Sequence, residues 1–259
     1  MQIKNKIDFK KYKRFFAVGC SFTNYLWSTW ADIIGYKIKE YYNVGQPGAG
    51  NQYIANMVSE IDQKYNLNNN DLVICMWSSI YREDRYKDDS WCLGGNVYLS
   101  KTLDQQFVKK WADNRFYLIR DLSLINLTTK LLKYKNVDWD FLSMIDVGST
   151  EDQKKNTQIP EDIRYNYESV LNSIKPSIFS TVLGNSWNFF EKYHNDNHPL
   201  PNHYLQYLNL LYKDNVYDVK LLDLIKKENK NILKGNFQKN FINLDCNKKV
   251  SKRKKFVYL

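Results

Sequence analysis

Apolar residues occur along this chain in short bursts whose spacing changes from one segment to the next. The first burst, "RFFAVG" at 14–19, is too short for a helix and suits a buried strand. After it, Leu26, Trp30, Ile33 and Ile34 recur at helical spacing, and Gly35 supplies a stop. The Tyr-rich stretch 36–45 reads as extended, and Gly45, Pro47, Gly48 and Gly50 then form a loop. Ile54, Met57, Val58, Ile61 and Tyr65 mark an amphipathic helix. "NLNNND" at 66–71 is a break, and "LVICMW" at 72–77 is another buried strand. Residues 78–103 read as a long polar loop, and 103–135 as mainly helical. A further strand is predicted within 137–145, a polar loop over 148–163, a helix in 165–174, and a helix over 202–212 led in by Pro201.

Strands alternating with helices predict an α/β domain with a mainly parallel sheet, right-handed crossovers and helices on both faces. Ligands in such sheets bind beyond the carboxyl ends of the strands. One domain is expected over 1–213, followed by a C-terminal extension over 214–259.

Composition sharpens this. The chain has 259 residues, 43% of them hydrophobic, with 13 Phe, 20 Tyr and 7 Trp, enough for a large core. No apolar run approaches the ~18 residues of a membrane span. "AVGC" at 17–20 resembles a lipid-attachment site, but only Phe15–Val18 separate it from Lys10, Lys11, Lys13 and Arg14. A secretion signal needs roughly 7–15 apolar residues there, so a chain made without a cleaved signal, and cytoplasmic, is expected. Cys20, Cys75, Cys92 and Cys246 form no CxxC pair; the first two lie in apolar runs and read as buried thiols.

The net charge of +10 is unevenly placed. Residues 220–259 carry 12 Lys/Arg against 3 Asp/Glu, and the remainder 26 against 25. The basic stretch 248–255 is either a solvated tail or a contact for an acidic partner or nucleic acid.

Candidate chemistry gathers at predicted strand ends. Ser21 follows the first strand, where a hydroxyl could cap a helix or attack an acyl carbon if a base takes its proton. The three histidines, His194, His198 and His203, fall within ten residues. Pro199 and Pro201 prevent two of them from facing a metal from one helix, and no HExxH accompanies them, so neither a metal nor another cofactor is expected. Asp196, two residues before His198, could hold its tautomer through a local turn. His203 reads as structural, with a reserve role as base. Gly48 and the Ser21 N–H could donate to an oxyanion.

Together, "AVGCSFT" (17–23), "NVGQPGAGN" (43–51), "MWSSIYRED" (76–84) and "DNHP" (196–199) resemble, in order, the conserved blocks of the SGNH (GDSL-like) hydrolases. The variant is a divergent one, of the type found in phages and marine bacteria, which fits a virus-encoded chain and a bacterial one alike. The resemblance spans about 14–212. It implies a flavodoxin-like three-layer α/β/α sandwich, the SGNH hydrolase fold, with ester hydrolysis by Ser21, His198 and Asp196. Gly48 would donate to the oxyanion. Ser78 stands where the family carries an oxyanion-binding Asn, and Asn51 is either a substitute donor or a cap of the second helix. Trp77, Tyr81 and Arg82, with Trp187, would contact substrate, and an O-acetyl ester of a glycan is expected. The replacement of Asn by Ser leaves a second reading, a weakly active or inactive binding or structural module on the same fold, viral and glycan-binding. A nucleic-acid-associated protein is a third, for which only the tail speaks.

Overall fold

The central strands of the sheet are short, buried and parallel. In chain order, a computed structural model describes residues 1–99, 103–149, 159–184 and 196–236 as follows. The first half has β1 (Arg14–Val18), α1 (Trp30–Gly35), β2 (Glu40–Asn43), α2 (Asn51–Tyr65), β3 (Asp71–Trp77), β4 (Arg82–Lys87) and β5 (Ser90–Asn96). The second half has α3 (Gln105–Trp111), α4 (Asn114–Tyr134), β6 (Asp138–Ser143), α5 (Glu161–Asn166), α6 (Glu168–Leu171), β7 (Ile174–Ser177), α7 (Ile178–Thr181), α8 (Pro201–Leu211) and α9 (Val219–Ile232).

Five strands form one parallel sheet in the order β2-β1-β3-β6-β7. Helices α2, α4 and α6 pack together, and α1, α8 and α9 form a second group. Right-handed crossovers put these groups on opposite faces of the sheet, giving three α/β/α layers. β3 is central and all seven of its residues are buried, which is why it reads as an unbroken apolar run. Arg14 fixes the register at the amino end: its guanidinium donates to both Asp71 oxygens, at 2.6 and 2.7 Å, and to the Tyr65 carbonyl at 3.0 Å.

The order reverses at β1, whose neighbours β2 and β3 are reached by crossovers in opposite directions. This switch point leaves a crevice between the carboxyl ends of β1 and β3.

Three features differ from the expectations. The stretch 78–103 is not simply a loop, because β4 and β5 pair as an antiparallel hairpin. Its two-residue turn is Asp88–Asp89, with φ of 50° and 55°, the left-handed conformation that hairpin turns of type I′ require. Glu83 and Asp84 of β4 are buried, which hides the strand from any apolar alternation. The helix expected through 165–174 ends at Leu171, and β7 follows, carrying Pro176 on an edge strand. The C-terminal extension, as far as 236, joins the same core: Leu221, Ile225 and Ile232 of α9 are buried in it. The tail 248–255 and Cys246 lie outside the described residues. Among the described residues, no helix is long and apolar enough to cross a membrane.

Helix α9 also buries Glu228, whose Oε1 accepts from the Ser28 N–H at 3.1 Å. Burial pushes its carboxyl up to about 7. The folded chain thus holds this proton to higher pH than the unfolded chain. The contribution to stability is complete below the ordinary glutamate value and is lost as pH rises through about 7. Glu228→Gln is expected to raise stability at pH 8 by up to about 3 kcal/mol and to leave it nearly unchanged at pH 4. Urea denaturation at the two pH values measures the difference.

Candidate active site

The chain leaves β1 through Gly19 and turns at once: the Thr23 and Asn24 N–H groups both donate to the Cys20 carbonyl. Glycine is needed here because a Cβ at 19 would lie 2.1 Å from Thr23 Oγ1 and 3.0 Å from the Met76 carbonyl. Ser21 sits in this turn, 7% exposed. It does not lead into a helix. α1 starts only at Trp30, capped by Thr29, which accepts from Ala31 N–H while Asp32 accepts from Thr29 N–H. The helix-cap reading of Ser21, and any help from a helix dipole, therefore fall away. Leu26, counted above as helical, is half exposed in the intervening loop.

The loop after β2 is tied to this turn by Gln46 N–H, which donates to the Gly19 carbonyl at 3.0 Å. Residues 46–49 close a β-turn through Ala49 N–H and the Gln46 carbonyl, at 3.1 Å. Pro47 and Gly48 hold its central positions, and Gly48 has φ +82°, the arrangement of a type II turn. The Gly48 N–H lies outside the bond that closes this turn.

Beyond β3, Asn51 grips Ser78 by its backbone. Asn51 Oδ1 accepts from the Ser78 N–H at 2.8 Å, and Nδ2 donates to the Ser78 carbonyl at 3.1 Å and to Asp121 Oδ2 at 2.7 Å. Both hydrogens of the Asn51 amide are thus engaged, and it is a brace for Ser78 rather than a substitute oxyanion donor. The Ser78 hydroxyl is itself buried and has no hydrogen-bond partner among the described residues.

Below this brace lies a buried ionic network. Arg120 of α4 donates to Asp121 Oδ1 at 2.7 Å, to Glu83 Oε2 at 3.2 Å and to the Arg82 carbonyl at 2.9 Å. Burial pushes the Asp121 carboxyl up to about 7 in spite of Arg120 and Asn51. Asp84 accepts from the Gly50 and Tyr53 N–H groups, each at 2.8 Å. It caps α2 from the hairpin, in place of a side-chain cap from the helix's own N-cap residue.

The segment 196–200 meets this edge from the other side. His198 Nδ1 lies 2.7 Å from Asp196 Oδ1, which also accepts from the His198 backbone N–H at 2.9 Å. This is an Asx-turn, the local turn expected for such a spacing. Tyr25 donates its hydroxyl hydrogen to the other carboxylate oxygen, Asp196 Oδ2. Burial alone would raise the Asp196 carboxyl, but the hydrogen bonds from His198 and Tyr25 outweigh it and hold it at about 2. The Phe22 ring, next to Ser21, lies 5.4 Å from the His198 ring. His203 is turned to structure: its Nδ1 accepts from the Leu200 N–H at 3.1 Å, and burial pushes its pKa down to about 4. His194 lies outside the described residues.

The expected substrate contacts are placed differently. Trp77 is buried edge-on against Phe141, with centroids 5.2 Å apart. Tyr81 is also buried, and Arg82 donates to the Ala49 carbonyl at 3.1 Å. Neither aromatic ring has an exposed face for a sugar, and Trp187 lies outside the described residues. Sequence reasoning missed Tyr25, the Asn51 brace and Arg120, whose partners are remote in the chain and leave no local signal.

No family model matches the chain, and no curated protein matches it. Solved structures similar to it include lipolytic proteins, a lipase and an esterase. A member of the lipolytic protein G-D-S-L family from Veillonella parvula DSM 2008 is 13% identical, over 76% of this chain and 96% of that one, with a TM-score of 0.43. A GDSL-like lipase from Bacteroides thetaiotaomicron VPI-5482 is 16% identical, over 84% and 90%, with a TM-score of 0.42. The psychrotrophic esterase EstA from a Pseudoalteromonas species is 10% identical, over 83% and 97%, with a TM-score of 0.41.

Proposed function

We propose that the chain is a serine ester hydrolase of the SGNH (GDSL-like) type. The observation that carries this reading is the His198–Asp196 pair, 2.7 Å apart, with its carboxylate held ionised and Phe22 of the Ser21 turn against its imidazole. In this reading Asp196 accepts the Nδ1 hydrogen of His198 and so leaves Nε2 as the base. Ser21 Oγ attacks the ester carbon as Nε2 takes the hydroxyl proton. The oxyanion accepts from the Ser21 and Gly48 N–H groups and from the Ser78 hydroxyl. The C–O bond to the leaving alcohol then breaks as the imidazolium returns its proton to that oxygen. Water repeats the sequence on the acyl-enzyme and releases the acid and free Ser21.

The substrate class supported is a carboxylic ester, and an O-acetylated glycan is one form of it. Burial of Trp77 and Tyr81 removes the stacking support for a sugar, so the test uses simple esters.

A second reading, a binding or structural module on this fold, draws on Ser78 in the place of Asn and on the low exposure of Ser21. A fluorophosphonate probe separates the two. Covalent labelling of the protein, together with turnover of nitrophenyl acetate and butyrate, is expected, and Ser21→Ala should abolish both. Labelling that persists in Ser21→Ala would remove Ser21 from the mechanism. A protein with neither labelling nor turnover would be the binding module.

A further inference from the structure

Tyr25 lies four residues beyond Ser21 and touches both members of the acid–base pair. Its hydroxyl donates to Asp196 Oδ2, the oxygen that His198 does not use. Its ring stacks on the His198 imidazole, with centroids 3.6 Å apart and planes 14° from parallel. The tyrosine is itself held: Trp27 meets it edge-on at 4.7 Å, and the Trp27 indole N–H donates to the Pro199 carbonyl at 2.7 Å. The Ser21 loop thus clasps the segment 196–199 at three points.

We propose that Tyr25 is a positioning residue for the His198–Asp196 pair, fixing the plane of the imidazole and stabilising the imidazolium that forms as Ser21 loses its proton. This rests on the reading of His198 as general base. Two physical effects combine. A carboxylate gripped at one oxygen can swivel about its C–C bond; gripped at both, it holds the Nδ1–H direction and therefore the aim of Nε2. An aromatic face lying flat on an imidazole also favours its cationic form, because the ring quadrupole is negative over the face. Burial and the neighbouring Asp196 raise the phenol's pKa well above its ordinary value, so Tyr25 remains a donor throughout the neutral range.

Tyr25→Phe removes the hydroxyl and keeps the stack, whereas Tyr25→Leu removes both. Rates are taken per active site, counted by fluorophosphonate labelling, so that loss of folded protein does not enter. Tyr25→Phe is expected to lower kcat by about 10-fold with KM unchanged, the effect of one hydrogen bond to a charged group. Tyr25→Leu is expected to lower it by about a further 5-fold. A purely structural tyrosine would change denaturation midpoints and the labelled fraction but not kcat per labelled site. A Tyr25→Phe protein within twofold of the parent overturns the proposal.

A second readout does not depend on turnover. The low-field proton resonance of His198 Nδ1–H, identified by its absence from His198→Ala, is expected to move and broaden in Tyr25→Phe. An unchanged resonance overturns the proposal even if the protein proves to hydrolyse no ester. A changed resonance in a protein without turnover would support the clasp and defeat only the esterase reading.

Discussion

Asp196→Asn is expected to lower kcat for a nitrophenyl ester by about 10⁴-fold while the protein stays folded. The size follows from the tautomer. In the proposed mechanism Asp196 Oδ1, 2.7 Å from His198 Nδ1, accepts the Nδ1 hydrogen, which leaves Nε2 to take the serine proton. An asparagine can present its NH2 group to Nδ1 and drive the hydrogen to Nε2, where it blocks attack. With its NH2 group turned to Nδ1, the asparagine keeps its oxygen for the Tyr25 hydroxyl but no longer accepts from the His198 backbone N–H, because one Asp196 oxygen serves both His198 groups. The loss is confined to this one local bond, and Tyr25 still holds position 196, so circular dichroism should be unchanged. A loss of less than about 10-fold would mean that the carboxylate does not set the tautomer. His198→Ala should be at least as damaging, since it removes the base itself.

Arg120→Met is expected to destabilise the chain by about 3–5 kcal/mol, the cost of leaving a buried charge without its partner. Arg120 serves Asp121, Glu83 and the Arg82 carbonyl, and its guanidinium lies 4.7 Å from the Tyr117 ring centre. Glu83 keeps Arg85 at 2.7 Å, but Asp121, fully buried, would keep only Asn51 among the described residues. Asp121 can escape by holding a proton, which it already does up to about 7. The loss should therefore be larger at pH 8 than at pH 5. Urea unfolding followed by tryptophan fluorescence measures both. A loss below about 1 kcal/mol at pH 8 would show that the network is dispensable. The double variant Arg120→Met/Asp121→Leu should recover part of the loss, because it removes the stranded charge as well.

What could be read from the sequence was local, and what could not was remote. β1, β3 and β6 are buried on both faces, so their composition announces them. The Asp196–His198 pair spans two residues and closes through its own Asx-turn, so spacing alone suggested it. Ser21 was correctly placed at a strand end, but the spacing of Leu26, Trp30, Ile33 and Ile34 hid a loop before α1. That loop exists to deliver Tyr25 and Trp27 to residues more than 170 positions away. The Asn51 brace links residues 27 apart, and β4 escaped notice because its buried positions include Glu83 and Asp84. In each case a polar side chain is buried for a partner that no periodicity reveals.

The Asx-turn at 196–198 has a consequence for how activity would be lost. A carboxylate and an imidazole joined by a two-residue turn need almost no loop closure to find each other. Ser21, by contrast, would have to be brought to them across some 175 positions of chain, and Phe22, Tyr25 and Trp27 are among the residues that join its turn to the segment 196–199. Mild denaturant should therefore undock the serine turn while leaving the acid–base pair locally assembled. Inactivation would then precede global unfolding and reverse quickly on dilution, since only one surface has to find its place again.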